Sequence, residues 1–392
     1  MNTADIVIVG GGVMGTSIAW NLAKRGAGKI VLLERDSIAS GATGKSSAIV
    51  RTHYTHEILA RMSWHARNIF EYFAEVVGGD AGFHKTGFVV IVPPNDVETV
   101  RNNVAMNCRV GINARVLMPD ELRALEPRLD ASPEFTGAAA FEPDSGYADP
   151  HLTAQSFADA ARRAGVDIRV GTRVHAIRGN GRVTSVETER EILETRTVIV
   201  AAGYRTRDLI APFGFDAPLT PVRHTMAVVQ RTRDFGAPHP TISDRALGVY
   251  LRPDVGDLTL IGTTAPLDGD VDDAVEHERG ANDKHVHAQA EKFLKRFPSQ
   301  QHAALREGFT GIYDCSPDLQ PLLGAIPNAQ GLYIACGFSG HGFKLSPVVG
   351  EMLAEKILYG KTSLVDIDFF NPARFLNHQP IKMQYAYSVQ TL

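Results

Sequence analysis

Six consecutive residues near the start, Gly10-Gly11-Gly12-Val13-Met14-Gly15, restrict this chain more than any others. Before them, residues 5–9 form a short apolar stretch that reads as a buried strand. From Met14, apolar residues recur at helical spacing through Ile18 and Leu22 until Gly26 offers a C-cap. Residues 29–33 read as a second strand. Strand, tight turn, helix and strand within about thirty residues make the unit from which doubly wound parallel sheets are built.

Gly10, Gly12 and Gly15 stand in GxGxxG spacing at the strand-to-helix junction. Glycines there permit the turn and let backbone amides approach a pyrophosphate, while the helix N-terminus offers partial positive charge. Glu34 closes the second strand, where a carboxylate accepts both ribose hydroxyls of an adenosine and repels a 2'-phosphate. A bound dinucleotide is the expectation, and a glycine-rich turn that binds nothing is the alternative. The motif alone does not separate FAD from NAD.

A length of 392 residues suits two domains and a sizeable core without disulfides or metal. With 21% charged residues and a net charge of -4, the chain has no electrostatic footprint for nucleic acid or an anionic membrane. Cys108, Cys315 and Cys336 lack CxxC spacing, so no disulfide framework and no metal site are expected. The N-terminus enters its first strand without the basic flank of a signal peptide. No apolar run approaches the roughly 18 residues of a membrane span, so a cytoplasmic protein is expected.

Along the chain, residues 40–47 form a loop of glycine and small hydroxyl residues, followed by a helical pattern through Ile58, Met62, Ile69 and Phe70. A strand over 87–92 ends at Pro93 and Pro94, and Val97, Val100 and Val104 mark an amphipathic helix behind Asp96. A helix over 152–164 and strands over 167–170 and 197–202 return the chain to its first domain. Residues 222–230, 249–252 and 258–262 read as strands of an antiparallel sheet. A strand over 332–336 precedes a small-residue loop, and Ser346-Pro347 reads as a helix start, with Gly360 as its end. The fold class is α/β. One discontinuous domain is expected over 1–85, 147–215 and 310–370, a second over 86–146 and 216–309, and a C-terminal tail over 371–392.

Residues 11–35, the loop 40–47 and residues 337–344 (GFSGHGFK) together resemble the D-amino-acid-oxidase superfamily of flavoproteins, most nearly its sarcosine and dimethylglycine oxidoreductases. The resemblance runs over about residues 5–366. It implies a Rossmann-like FAD-binding domain of the glutathione-reductase type beside an α+β substrate domain built on an antiparallel sheet. It also implies that FAD lies extended along the first domain. Glu34 and Arg35 then meet the ribose, Ser40, Lys45, Ser46 and Ser47 the pyrophosphate side, and Val174 the adenine, with Ala202 and Gly203 along the cofactor. Gly340, His341, Gly342, Phe343 and Lys344 cover the pyrimidine end of the flavin, where amide donors at a helix start favour the negative charge of the reduced ring.

The same resemblance places a substrate carboxylate between Arg51 and Lys344, with Arg252 a weaker candidate on the substrate-domain strand. It implies hydride transfer from a carbon beside a neutral amine nitrogen, giving an imine that water hydrolyses; orientation by the two cations is then much of the catalysis. Gly311 aligns where monomeric sarcosine oxidase attaches its flavin through cysteine, and Ser46 and Ser47 stand where dimethylglycine dehydrogenases use histidine. Dissociable FAD is therefore expected. The expected partners are a small amine or amino acid and an electron acceptor, oxygen or another. Oxidation of a primary or cyclic amino acid, or the role of a flavin-carrying subunit in a hetero-oligomer, are the alternatives. Two other motifs fail on inspection: Ala39 stands where a P-loop before Gly44-Lys45-Ser46 needs glycine, and His341 stands where a nucleophile elbow around Ser339 needs one.

Overall fold

The computed structural model describes residues 2–264 and 280–388, so residues 265–279 of the expected second domain and 389–392 of the expected tail lie outside the described residues. A six-stranded sheet carries the first domain, in the spatial order Leu322–Ala325, Leu332–Cys336, Val198–Val200, Ile6–Val9, Ile30–Leu33, Asp167–Arg169. All neighbours run parallel except the edge strand Leu322–Ala325. Alternation along these strands feeds two cores. Ile6, Ile8, Ile30 and Leu32 face the helices Val13–Lys24, Pro150–Arg163 and Gly342–Tyr359. Val7, Val9, Val31 and Leu33 face the opposite way, with Ile177, Val186 and Leu193 of a small four-stranded sheet. Every side chain of Ile6–Val9 and Ile30–Leu33 is buried, which is why these strands read as continuous apolar runs.

The second sheet has eight strands, in the order Ala304–Cys315, Thr220–Gln230, Leu258–Thr263, Val249–Asp254, Thr241–Asp244, Phe88–Val92, Ala138–Glu142, Arg115–Leu117. It is antiparallel as expected, except where Thr241–Asp244 lies parallel to Phe88–Val92 and joins two pieces distant in sequence. Ala304–Cys315 runs through the boundary expected at 310 and pairs along Thr220–Gln230. The described part of the expected tail is not loose. Gln384 and Tyr385 donate their amides to Thr55 O, and Ser388 donates its amide and hydroxyl to Asp96.

One helix begins earlier than its sequence implies. Ser346-Pro347 reads as a start, yet the helix spans Gly342–Tyr359 with Pro347 inside it. Proline there gives up the N–H that would bond back to residue 343, and the helix is nevertheless continuous through it, packed by buried residues on both sides. Phe343 and Lys344 are therefore first-turn residues.

At the end of Thr241–Asp244, Asp244 accepts from Arg296 Nε at 2.7 Å, both side chains having no solvent exposure. Arg296 also donates to Thr136 Oγ1 and Asp130 O. Removing one member of such a pair leaves an uncompensated buried charge, at a cost of about 3–5 kcal/mol. Arg296→Met should lower stability toward denaturant by that amount; a loss below about 1 kcal/mol contradicts this role.

Candidate functional site

The glycine turn is built by close approach. A Cβ on Gly10, whose φ is +113°, would sit 2.4 Å from Ala201 O, and one on Gly15 would sit 1.9 Å from Gly10 O. The helix Val13–Lys24 starts at Gly12 with no side-chain cap from its own N-cap residue; Val13 N–H reaches Thr43 Oγ1 at 3.0 Å. Glu34, 9% exposed, accepts from Gly11 N–H at 2.7 Å and Asp36 N–H at 2.8 Å. A carboxylate has about four acceptor sites, so capacity for ribose hydroxyls remains. Ala202 Cα lies 3.3 Å from the Cβ position of Gly10, and Gly203 follows it with φ +57°. Val174 stands two residues beyond Thr172, whose amide donates to Glu34 O at 2.8 Å. Arg35 pairs with Asp36 at 2.8 Å beside this group. The fingerprint, Glu34, Arg35, Val174, Ala202 and Gly203 thus meet at one end of the parallel sheet, where such sheets bind ligands. A glycine-lined helix start with a carboxylate across from it fits the adenosine half of FAD.

Of the remaining expected residues, several meet beside the strand Ala304–Cys315. Ser40 opens the loop at the surface. Lys45 Cβ lies 3.1 Å from where a Cβ on Gly311 would stand, and Gly340, with φ +88°, leaves room for the ring of Tyr313 at 2.7 Å from its own Cβ position. Ser46 Oγ accepts from Ala48 N–H at 3.0 Å, and Ser47 hydrogen-bonds the Tyr250 phenol. His224 stacks on Tyr313 at 4.6 Å and bonds Tyr250 at 2.9 Å. His224 Nδ1 and Thr310 Oγ1, on the paired strands beside Gly311, are buried without hydrogen-bond partners among the described residues. The helix start at Gly342 has no side-chain cap. Unfilled polar atoms and free amides here suit the polar edge of a flavin.

Arg51, Tyr54, His341 and Lys344 form the next layer. The Arg51 guanidinium lies 4.5 Å from the Tyr54 ring centre and Lys344 Nζ 6.0 Å from the same ring. Lys344 is 6% exposed; burial, then Arg51, holds its ammonium well below the usual lysine range. His341 Nε2 lies 2.9 Å from Leu319 O and Nδ1 3.2 Å from Tyr54 Oη. Burial, with Lys344 adding to it, lowers His341 to about 3, so the ring is neutral near pH 7. A carbonyl only accepts, so Nε2 carries the proton and Tyr54 donates to Nδ1. The Tyr54 hydroxyl therefore points its acceptor capacity elsewhere.

A cavity of about 470 Å³ opens beside this layer. Arg51, His53, Tyr54 and His341 line one side, and Phe88, Val90, Ser243 and Arg245 of the second sheet line another. Ile381, Met383 and Tyr387 bring in the C-terminal segment. Tyr387 Oη and His53 Nε2 share a hydrogen bond of 2.7 Å, and the Arg245 guanidinium lies 4.1 Å from the Tyr387 ring centre. Behind the cavity, buried Glu142 accepts from Thr52 N–H at 2.9 Å and Ser145 Oγ at 2.8 Å, and burial raises its pKa. Arg252 lies on the expected strand, where it stacks on Tyr147 at 4.4 Å and pairs with Asp254 at 3.3 Å; neither it nor Lys344 is among this cavity's lining residues. Arg245 stands there instead, just after the neighbouring strand, and only the pairing of Thr241–Asp244 with Phe88–Val92 brings it in.

Among the described residues no group of three or more His, Cys, Asp or Glu side chains could hold a metal ion, and no helix is long and apolar enough to cross a membrane.

The DAO family model, described as FAD dependent oxidoreductase, matches residues 5–356. The chain is 27% identical over 383 residues to the mitochondrial sarcosine dehydrogenase of Mus musculus, covering 92% of this chain and 40% of that protein. It is 24% identical over 376 residues to sarcosine oxidase subunit beta of Rhodobacter capsulatus, covering 92% of this chain and 86% of that subunit. Among solved structures, the L-proline dehydrogenase from P. horikoshii matches with a TM-score of 0.88 at 27% identity, covering 97% of this chain and 100% of that one. The chain spans 40–44% of the length of the mitochondrial relatives it matches.

Asp314, at the end of Ala304–Cys315, anchors the loop that leads to Lys344 by accepting from Gly337 N–H at 2.7 Å. Burial raises its carboxyl from 3.8 to about 6, outweighing the amide donors that lower it. The folded state then holds this proton more tightly than the unfolded state. The stability it brings is complete below about pH 3.8, declines as pH rises and is gone above about 6. The melting temperature of Asp314→Asn relative to the unmodified protein should therefore climb between about pH 4 and 6.5. A difference that does not change with pH contradicts the assignment.

Proposed function

Because the chain belongs to the DAO family of FAD-dependent oxidoreductases, we propose that it oxidises a small secondary or tertiary amine, an N-methyl amino acid of the sarcosine type. The observation that carries this reading is the pairing of Arg51 and Lys344 about one buried tyrosine, at 4.5 and 6.0 Å from its ring. Arg51 disfavours the charge on Lys344, and an anion reached by both relieves that repulsion. A carboxylate fits the planar Arg51 fork and the point charge of Lys344.

When bound, FAD would supply a two-electron acceptor for the hydride on the carbon attached to the substrate nitrogen. The side chains do the rest by placement. Arg51 and Lys344 fix the carboxylate, which fixes the adjacent C–H bond. Tyr54, donating to His341, keeps lone pairs toward the cavity and can hold an amine N–H. Neutral His341, braced on Leu319 O, holds Tyr54 still without adding a further charge. The resulting imine is hydrolysed by water to an aldehyde and the shortened amine.

Residues 1–85, 147–215 and 310–370 hold the cofactor in this reading, and 86–146 and 216–309 cover the substrate, with Ala304–Cys315 spanning the junction. The FAD is held without a covalent bond. Gly311 offers no thiol, and the buried Cys315 thiol is pushed up to about 12, which disfavours the reactive thiolate. The full-length likeness to L-proline dehydrogenase supports a second reading, oxidation of a cyclic or primary amino acid. The likeness to sarcosine oxidase subunit beta supports assembly with a partner that takes the electrons.

Arg51→Met and Lys344→Met should each lower kcat/KM for N-methylglycine roughly ten- to hundredfold while the flavin stays bound. Unchanged kinetics in both would remove the carboxylate clamp. Lys344 also ties binding to pH, since its pKa lies well below the usual value until an anion arrives and raises it. Acetate should therefore bind with uptake of a proton, its affinity falling as pH rises, and Lys344→Met should flatten that dependence. A pH profile identical in the variant contradicts the role of Lys344.

A further inference from the structure

Arg51 leaves the strand Ile49–Val50 on an irregular stretch, residues 51–54, so the direction of its guanidinium depends on what holds that stretch. Three of the holds come from parts of the fold already described. Thr52 N–H donates to Glu142 at the end of Ala138–Glu142, Ser63 Oγ of the helix Glu57–Glu71 donates to Thr52 O at 3.2 Å, and Tyr54 meets His341. The fourth is Tyr387. Its hydroxyl shares the 2.7 Å hydrogen bond with His53 Nε2, and the two rings stack with their centres 6.0 Å apart. His53 in turn receives Arg51 on its own carbonyl, Arg51 Nη1 donating to His53 O. The path from Tyr387 to Arg51 thus runs through one residue, entering at its ring and leaving at its carbonyl.

The bond to Tyr387 is the one that fixes the His53 ring. On the other ring nitrogen, Asn107 Nδ2 lies at 3.5 Å and Glu142 Oε1 at 3.9 Å, too far for strong hydrogen bonds. Burial first, then Arg51 and Arg245, lowers His53 to about 3, so the ring is neutral near pH 7 and adds no charge beside Arg51. Tyr387 itself is well seated. Of the described residues 377–388 it alone is buried, and its ring packs with Phe88, Val90, Val100 and Ala140. No helix or strand carries it there. The segment is placed by Thr55 O, which accepts from Gln384 and Tyr385, by Asn103 Nδ2, which donates to Tyr385 O at 3.1 Å, and by Asp96, which accepts from Ser388.

We propose that Tyr387 is a positioning residue for the substrate carboxylate: through His53 it holds Arg51 in the orientation that meets the anion. The inference rests on the carboxylate clamp of the amine-oxidation reading above and extends it to the C-terminal segment. A guanidinium held in place before the anion arrives loses less freedom when it binds, so releasing it weakens binding while its charge remains.

The test measures acetate binding to the flavin-loaded protein by calorimetry, beside steady-state kinetics with N-methylglycine. Tyr387→Phe keeps the ring in its packing and removes only the hydroxyl. It should weaken acetate binding and raise KM for N-methylglycine by about fivefold or more, with kcat little changed and the flavin spectrum intact. His53→Phe cuts the same link from its other end and should give a similar loss. In an Arg51→Met background, Tyr387→Phe should weaken acetate no further, because the group it positions is gone. Undiminished acetate affinity in both Tyr387→Phe and His53→Phe overturns the inference. So does a loss that persists in Arg51→Met, which is the result expected if Tyr387 touches the anion directly or supports the fold in general. Coupled losses of acetate affinity, with no bleaching of the flavin by N-methylglycine in the unmodified protein, overturn amine oxidation and leave the link from Tyr387 to Arg51 standing. Bleaching by N-methylglycine with unchanged KM in Tyr387→Phe overturns the link and leaves amine oxidation standing.

Discussion

Two basic side chains about one buried aromatic ring form the constraint on which the rest of the site depends. Arg51 and Lys344 are 293 positions apart in the chain, and burial and then Arg51 disfavour the charge on Lys344. Such an arrangement persists only where the fold forces it, and several elements do so. Lys344 is fixed in the first turn of a helix whose residues from Phe343 to Gly350 are all buried, and Arg51 leaves a short strand and donates to His53 O. Tyr54 stands between them, tied to His341 of the same loop. In the proposed reading, the repulsion makes the empty site less stable and an anion-filled site more so, which would favour a substrate bearing a carboxylate.

The glycines at the other end of the cofactor path have a comparable logic. At Gly10 and Gly15 the backbone occupies the volume of a side chain, which brings the strand end, the helix start and Ala201 into contact. That crowding sets the helix N-terminus beside Glu34, which accepts from Gly11 N–H. Both ends of the proposed cofactor path thus lie at a helix start whose own N-cap residue supplies no side-chain cap.

How much of this could be read in the sequence depends on how local the cause is. The first strand, turn and helix are local, so the apolar run over 6–9 and the glycine spacing suffice, as does the period of Val97, Val100 and Val104 for the helix Val97–Val110. Residues brought together through family resemblance, such as Lys45 with Gly311, also meet. Ala304–Cys315 was not legible, because its first half is exposed and polar and it is ordered by pairing with Thr220–Gln230. The segment ending at Ser388 has no apolar period either. Its place is set by Thr55, Asp96 and His53, all distant in sequence, so Tyr387 and the cavity wall it forms could not be found from pattern alone. Arg245 was hidden for the same reason, and Arg252 drew attention in its stead because it lies within a clear strand.

Anaerobic titration of the flavin-loaded protein with N-methylglycine and, separately, with dimethylamine, which keeps the N-methyl amine but lacks the carboxylate, tests the central claim most directly. Loss of the oxidised flavin absorbance with the amino acid and not with dimethylamine is the result expected of a carboxylate clamp over a flavin. Equal bleaching by both would contradict the clamp, and no bleaching by any N-methyl amino acid would contradict amine oxidation itself.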